Sequence, residues 1–197
     1  DFIESDWDVK RAIRQLVTSA TYRQSSVTTE EHMAKDPQNL YFARAPRFRI
    51  MGEFVRDQAL HVSGLLNKKF GGPGVKPYQP AGLWNEVSLD RNRRFVQDTG
   101  NKIYRRSMYT YWKRSAPQPA MAAFDTPSRE ICTIQRQRTN TPMQSLVTLN
   151  DVQFVEASRF FAQRVLLTGP KDFPGQVNRA FELATGRPAD NLRQQVM

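Results

Sequence analysis

Between Gly71 and Leu83 the chain reads GGPGVKPYQPAGL, with four glycines and three prolines in thirteen residues. Proline removes a backbone donor and glycine loses the most freedom on ordering, so neither a helix nor a central strand can run through this stretch. It is expected to be an ordered surface loop anchored by Tyr78, Leu83 and Trp84. Regular structure must therefore be built on either side of it. A phosphate loop is excluded, because no Gly-Lys-Ser/Thr opens a helix there with an amide cradle.

On both sides, apolar residues recur at three- and four-residue spacing, the helical period. Ser5 and Asp8 have capping-box spacing, and Val9, Ile13, Leu16, Val17 and Ala20 then share a face, predicting a helix to about Tyr22. Asp36-Pro37 predicts a short helix to about Arg44. A long helix is expected over 47–67, with Phe48, Met51, Val55, Ala59, Val62 and Leu66 as its stripe and Ile50, Phe54 and Leu65 widening it. Residues 104–114 (YRRSMYTYWKR) read as a helix with Tyr104, Met108 and Tyr111/Trp112 on one face, although the aromatic content also suits a strand.

Residues 124–140 are polar and irregular, with at most a short strand at 131–134. Thr141-Pro142 caps a helix to about Leu149, and Asn150-Asp151 opens the next, with Val152, Val155, Phe160, Phe161 and Val165 expected inward. Gly169-Pro170 stops it, Phe173-Pro174 begins another that ends at Gly186, and Asp190 caps a last one. The fold class that follows is mainly α, an irregular multi-helix orthogonal bundle with long ordered loops and little or no β. The 197 residues fit a single helical domain, expected to be a fragment of a longer multidomain chain because Met197 falls inside a helical pattern. No apolar run approaches the roughly 20 residues that cross a bilayer.

Charge narrows the partners. The 29 basic and 19 acidic residues leave +10, and residues 91–138 hold eleven basic side chains against Asp98, Asp125 and Glu130, or +8 of that total. Such a region gathers polyanions, unless its arginines are internal, fastening loops through bidentate bonds. Within it, Arg105, Arg106, Lys113 and Arg114 interleave with Tyr104, Tyr109, Tyr111 and Trp112. Cations neutralise phosphate or sulfate, and aromatic faces stack on bases or on the apolar face of a sugar. Tyr104, Arg105, Arg106, Trp112, Lys113 and Arg114 are therefore the candidate binding residues.

Catalytic signals are sparse. Glu53 and Asp57, one helical turn apart, are the candidate carboxylate pair for glycoside chemistry, with Arg56 between them to satisfy them instead. The rival reading, a carbohydrate-active enzyme, requires these carboxylates to face solvent in a pocket rather than arginine. Tyr22, Arg23 and Gln24 form a polar corner at a helix end. His32, His61 and Cys132 lack metal-ligand spacing, no Gly-x-Ser-x-Gly occurs, and one cysteine permits no internal disulfide. A pI of about 10.1 suits nucleic acid, but no helix-turn-helix, zinc or RNA-binding signature accompanies it.

The strings WDVKRAIRQLVTSATYRQSS, FVRDQALHVSGLL, GGPGVKPYQPAGLW, YRRSMYTYWKR, FDTPSREICTIQRQRTNTPMQSLVTLND and FVEASRFFAQRVL occur here in one order. In this the chain closely resembles the planctomycete C-terminal domain of unknown function numbered fifteen-fifty-three. The resemblance implies setting rather than mechanism: exported multidomain proteins with a cytochrome-c-like, haem-binding CxxCH domain upstream and sometimes a lectin-like one. Haem c would then belong to a neighbouring domain, with no cofactor expected in this fragment. The implied location is extracytoplasmic, periplasmic or cell-surface, which keeps the domain from chromosomal DNA. The expected role is a non-catalytic binding or docking module that holds an acidic partner domain or an anionic polysaccharide.

Overall fold

The computed structural model describes residues 1–88 and 94–190. Eight α-helices form among them, and β pairing is confined to three isolated bridges, so the chain is mainly α as expected. The basic residues Arg91 and Arg93 and the helix expected after Asp190 lie outside the described residues. No helix among the described residues is long and apolar enough to cross a membrane. The residues divide into two compact units, Asp1–Arg49 and Ile50–Met197.

In the first unit, α1 (Val9–Thr18) is capped by Asp8, whose carboxylate accepts from Arg11 N at 3.0 Å. The Ser5 capping box does not form, because the Ser5 hydroxyl donates to Phe2 O. The helix also ends before Tyr22: Ser19 Oγ donates to Leu16 O and accepts from Tyr22 N, which closes the turn early. A short α2 (Glu30–Lys35), unforeseen in the sequence, is held by Thr29 and His32 capping each other's backbone.

The helix expected from Pro37 to Arg44 is instead a tight set of turns. Asp36 reaches past the first helical turn to accept from Leu40 N and Tyr41 N at 2.8 and 2.9 Å. Arg44 returns its guanidinium to the carbonyls of Asp36 and Pro37, and Asn39 and Phe42 take left-handed backbone angles that no helix could carry. These amide bonds, that of Tyr41 foremost, hold the Asp36 carboxyl below the usual carboxylate range.

In the second unit, α3 (Gly52–Ser63) packs on α7 (Val152–Thr168), with α5 (Pro119–Ala123) and α8 (Phe173–Thr185) also against α3. The short α6 (Pro142–Asn150) lies on α5 and α7, and α4 (Leu83–Glu86) closes the glycine-proline loop. The helices after Thr141, Asp151 and Asp172 begin where capping residues predict, and the last two end at the expected glycines.

Helix α3 is shorter than the expected 47–67. It starts at Gly52, after Met51 in extended backbone, at a point where a Cβ would sit 2.7 Å from Thr126 Oγ1 and 2.9 Å from Phe124 Cβ, and it stops at Gly64, whose φ of +83° is left-handed. Its buried face is Gly52, Arg56, Leu60 and Ser63, so the expected apolar stripe only flanks the core. On α7 the buried residues are Phe154, Ala157 and Val165, whereas Val152 and Val155, expected inward, are each half exposed.

The expected helix over 104–114 does not form. The segment is extended with one 3-10 turn, Ser107–Tyr109, because its backbone is engaged elsewhere. Asn67 N donates to Tyr104 O, Val75 N to Tyr109 O, and Tyr111 N to Val75 O at 2.7–3.0 Å. The glycine-proline loop and this segment thus satisfy each other's backbone, which a helix would forbid. Residues 131–140 are exposed throughout and contain no strand.

Candidate functional site

The cations around the glycine-proline loop and the segment 103–114 fall into a buried set and a more exposed set. Arg56, 4% exposed on α3, is the hub of the inward set. Its Nε donates to Gln153 Oε1 of α7 at 2.7 Å, while its two terminal nitrogens donate to Ile103 O, Arg105 O and Ser107 Oγ at 2.6, 2.9 and 3.2 Å. Burial lowers its pKa to about 10, with Asp57 and Asp151 opposing the shift. Burial conversely raises the pKa of Asp151.

Arg105, also 4% exposed, lies 3.8 Å from the Tyr109 ring centre and donates to the carbonyls of Pro73, Gly71 and Lys69. Tyr109 OH accepts from Gly71 N at 2.9 Å. One arginine therefore fixes the position of the next, and the second fixes the loop. A guanidinium suits both places because its rigid fork of donors can serve several carbonyls at once.

The outward set is mounted on that frame. Lys113 Nζ stands 4.6 Å over the Trp84 ring, and Lys76 Nζ is 5.5 Å from Trp84 and 5.3 Å from Tyr111. Phe95 meets Trp84 edge-on at 5.3 Å. The lysine separations are within the range of cation–π attraction. A second pairing puts Arg129 4.8 Å over Trp112, whose Nε1 donates to Ser128 O. Arg106 and Arg114 are exposed.

Two cavities adjoin this surface. The outer, about 290 Å³, is lined by Gln79, Trp84, Asn85, Arg94, Phe95 and Gln97 among others. The inner, about 120 Å³, is lined by Tyr78, Gln97, Tyr104, Gln153 and Glu156 with Arg56 and Leu60 behind. Tyr104 OH donates to Glu156 Oε1 at 2.9 Å; burial, and then this carboxylate, raise the phenol's pKa.

The structure thus separates the candidate binding residues. Lys113 is on the aromatic surface, Tyr104 is in the inner cavity, and Trp112 forms its own pair with Arg129. Arg105 is a buried fastener. Sequence reasoning did not single out Lys76, Arg94, Gln97 or Glu156. The tryptophan anchoring the loop hinted at them, and Arg94 is one of the eleven basic residues of 91–138.

The candidate catalytic carboxylates are both engaged. Glu53 accepts from Arg136 at 2.9 Å through both oxygens, and Asp57 accepts from Ser107 N at 2.7 Å with Arg56 at 3.9 Å. Neither lines either cavity, and each is held as a structural acceptor. In the first unit, Tyr22, Arg23 and Gln24 make the turn after α1, with Arg23 N donating to Ser19 O. Among the described residues, no three of His, Cys, Asp and Glu come together as a metal site would need.

Residues 1–197, the whole chain, match the model of a family described as "Protein of unknown function (DUF1553)", or PSD1. The chain belongs to this family. No curated protein and no solved structure matches it. For a DUF1553 domain, any functional reading must therefore come from the site. Here that site is a rigid aromatic platform with two lysines over it, and beside it a cleft whose polar groups are mainly amides.

Proposed function

We propose that this DUF1553 domain is a non-catalytic binding module that holds an anionic polysaccharide. The observation carrying this reading is Trp84, flanked by Lys113 and Lys76 with Tyr111 and Phe95 alongside. Tyr111, half exposed, offers apolar surface to a sugar beside the lysines, and the ammonium groups neutralise its sulfate or carboxylate. Engagement of Glu53 and Asp57 by arginine and backbone favours binding over hydrolysis. The family resemblance supplies the setting we propose for it, an extracytoplasmic multidomain protein with haem c on a neighbouring domain. An acidic partner domain would address the same lysines, and the test below separates the two.

The test is a titration over a salt series with a sulfated polysaccharide, a neutral one, polyglutamate and duplex DNA. The wild type is expected to bind the sulfated chain most tightly, with affinity falling as salt rises. The double variant Lys76→Ala/Lys113→Ala is expected to lose that binding. Sulfated-chain binding unchanged in the variant would overturn the reading, and tighter binding of polyglutamate would replace the polysaccharide with an acidic protein.

A further inference from the structure

We infer that the cleft beside Trp84 receives one uronate ring of the bound polysaccharide, its carboxylate outward at Arg94 and its hydroxyl edge inward toward Glu156. This rests on the function proposed above and specifies the sugar it takes. Gln97 lines both the outer cavity of about 290 Å³ and the inner one of about 120 Å³, and we take the two together as one cleft. The outer part is slightly smaller than the roughly 300–1,000 Å³ of drug-sized sites, which suits a single ring. The inner part has room for about four waters, enough for hydroxyl groups but not for a second ring.

The chemistry of the walls changes along the cleft. At the mouth, Trp84 and Phe95 supply apolar faces and Arg94 an exposed cation. Further in, Gln97 and Gln153 offer amides, and at the inner end Glu156 is a carboxylate already receiving the Tyr104 hydroxyl. A sugar carboxylate facing Glu156 would be repelled, whereas a hydroxyl there donates to it. The gradient therefore sets one orientation.

A second observation concerns the same walls. Gln79 Nε2, Trp84 Nε1, Asn85 Oδ1 and Gln153 Nε2 are enclosed side-chain atoms without a hydrogen-bond partner. An enclosed unpaired polar group costs about 1–3 kcal/mol, and three of these residues line the outer cavity and one the inner, so a hydroxyl-bearing ligand that drew them into hydrogen bonds would be favoured. The atoms are closed to solvent, so the amides must rotate toward an arriving hydroxyl. Binding should therefore disturb Trp84, which lines the outer cavity.

The experiment uses methyl β-glucuronide and methyl β-glucoside as single-ring probes, read by saturation-transfer NMR and by tryptophan fluorescence with Trp84→Phe as the control. The wild type is expected to bind the glucuronide more tightly than the glucoside, with a fluorescence change absent from Trp84→Phe. Gln97→Ala, on an exposed side chain, should weaken the glucuronide by about tenfold, the value of one lost hydrogen bond, while long sulfated chains still bind through the lysines. Lys76→Ala/Lys113→Ala should do the reverse, losing the polymer and keeping the single ring. Absence of glucuronide transfer in the wild type, equal binding of the two probes, or indifference to Gln97→Ala would each overturn the cleft. Polymer binding that survives such a result would leave the lysine platform standing.

Discussion

Arg105 and Lys113 come from one eleven-residue segment, and each lies over an aromatic ring, yet they do opposite work. Arg105 is buried, and its fork is spent on three carbonyls of the glycine-proline loop. Lys113 is only part-buried and stands over Trp84. The difference teaches that local charge density alone says little about binding. The planar guanidinium is the better internal fastener, and the compact ammonium is the better free cation. The inward cations make the frame, and the outward ones use it.

The largest test of that division is Arg56→Met. It removes the hub joining α3, α7 and the segment 103–107 while keeping an apolar stem. Leaving those buried acceptors unpaired should cost about 3–5 kcal/mol, read as a lower urea midpoint. A loss below about 1 kcal/mol, the scale of a surface ion pair, would break the claim that the inward cations carry the frame. Next comes Arg105→Lys, which keeps the charge and loses the fork. It should cost about 1.5–3 kcal/mol, because one ammonium cannot serve Pro73, Gly71 and Lys69 together. The reciprocal exchange, Lys113→Arg, should leave stability within about 0.5 kcal/mol, as for an ordinary surface substitution.

The outward lysines should show the opposite profile. Lys76→Ala/Lys113→Ala removes cation–π contacts at partly exposed sites, about 0.5–1 kcal/mol each at most. Its main effect should appear in polysaccharide binding and its salt slope, measured by titration at several ionic strengths. A double variant that unfolds as readily as Arg56→Met would erase the distinction between frame and platform.

Much of this arrangement was legible in the sequence. The helices after Thr141, Asp151 and Asp172 carry threonine or aspartate caps, and the last two end at glycine, signals that act locally. The segment 104–114 misled because its spacing suits a helix, while its conformation is decided by amides and carbonyls at Asn67 and Val75, thirty or more residues away. The buried face of α3 was hidden for a related reason. Its central residue is Arg56, which an apolar stripe cannot reveal and which is buried only because four acceptors converge on it. The carboxylate pair Glu53 and Asp57 was visible, but their partners Arg136 and Ser107 are remote in the chain. Local chemistry could be read in sequence; long-range pairing could not.

Tyr104 is where frame and cleft meet, and it gives the smallest and finest test. Its backbone carbonyl accepts from Asn67 N in the frame, while its hydroxyl donates to Glu156 in the cleft. The folded pKa is raised by burial and by that carboxylate, so the hydroxyl's contribution is complete below the ordinary tyrosine value of about 10 and is lost as pH rises through the higher folded value. Tyr104→Phe keeps the ring and the backbone bond and removes only the proton donor. At neutral pH it should lower stability by about 1 kcal/mol, and the gap to wild type should close as the phenol ionises. The check is the difference between the two urea midpoints at neutral pH and across the alkaline range, since lysines common to both proteins cancel in it. A gap constant with pH would mean that the hydroxyl is not the group that counts. Tyr104 would then belong wholly to the frame, and Glu156 would meet the cleft alone.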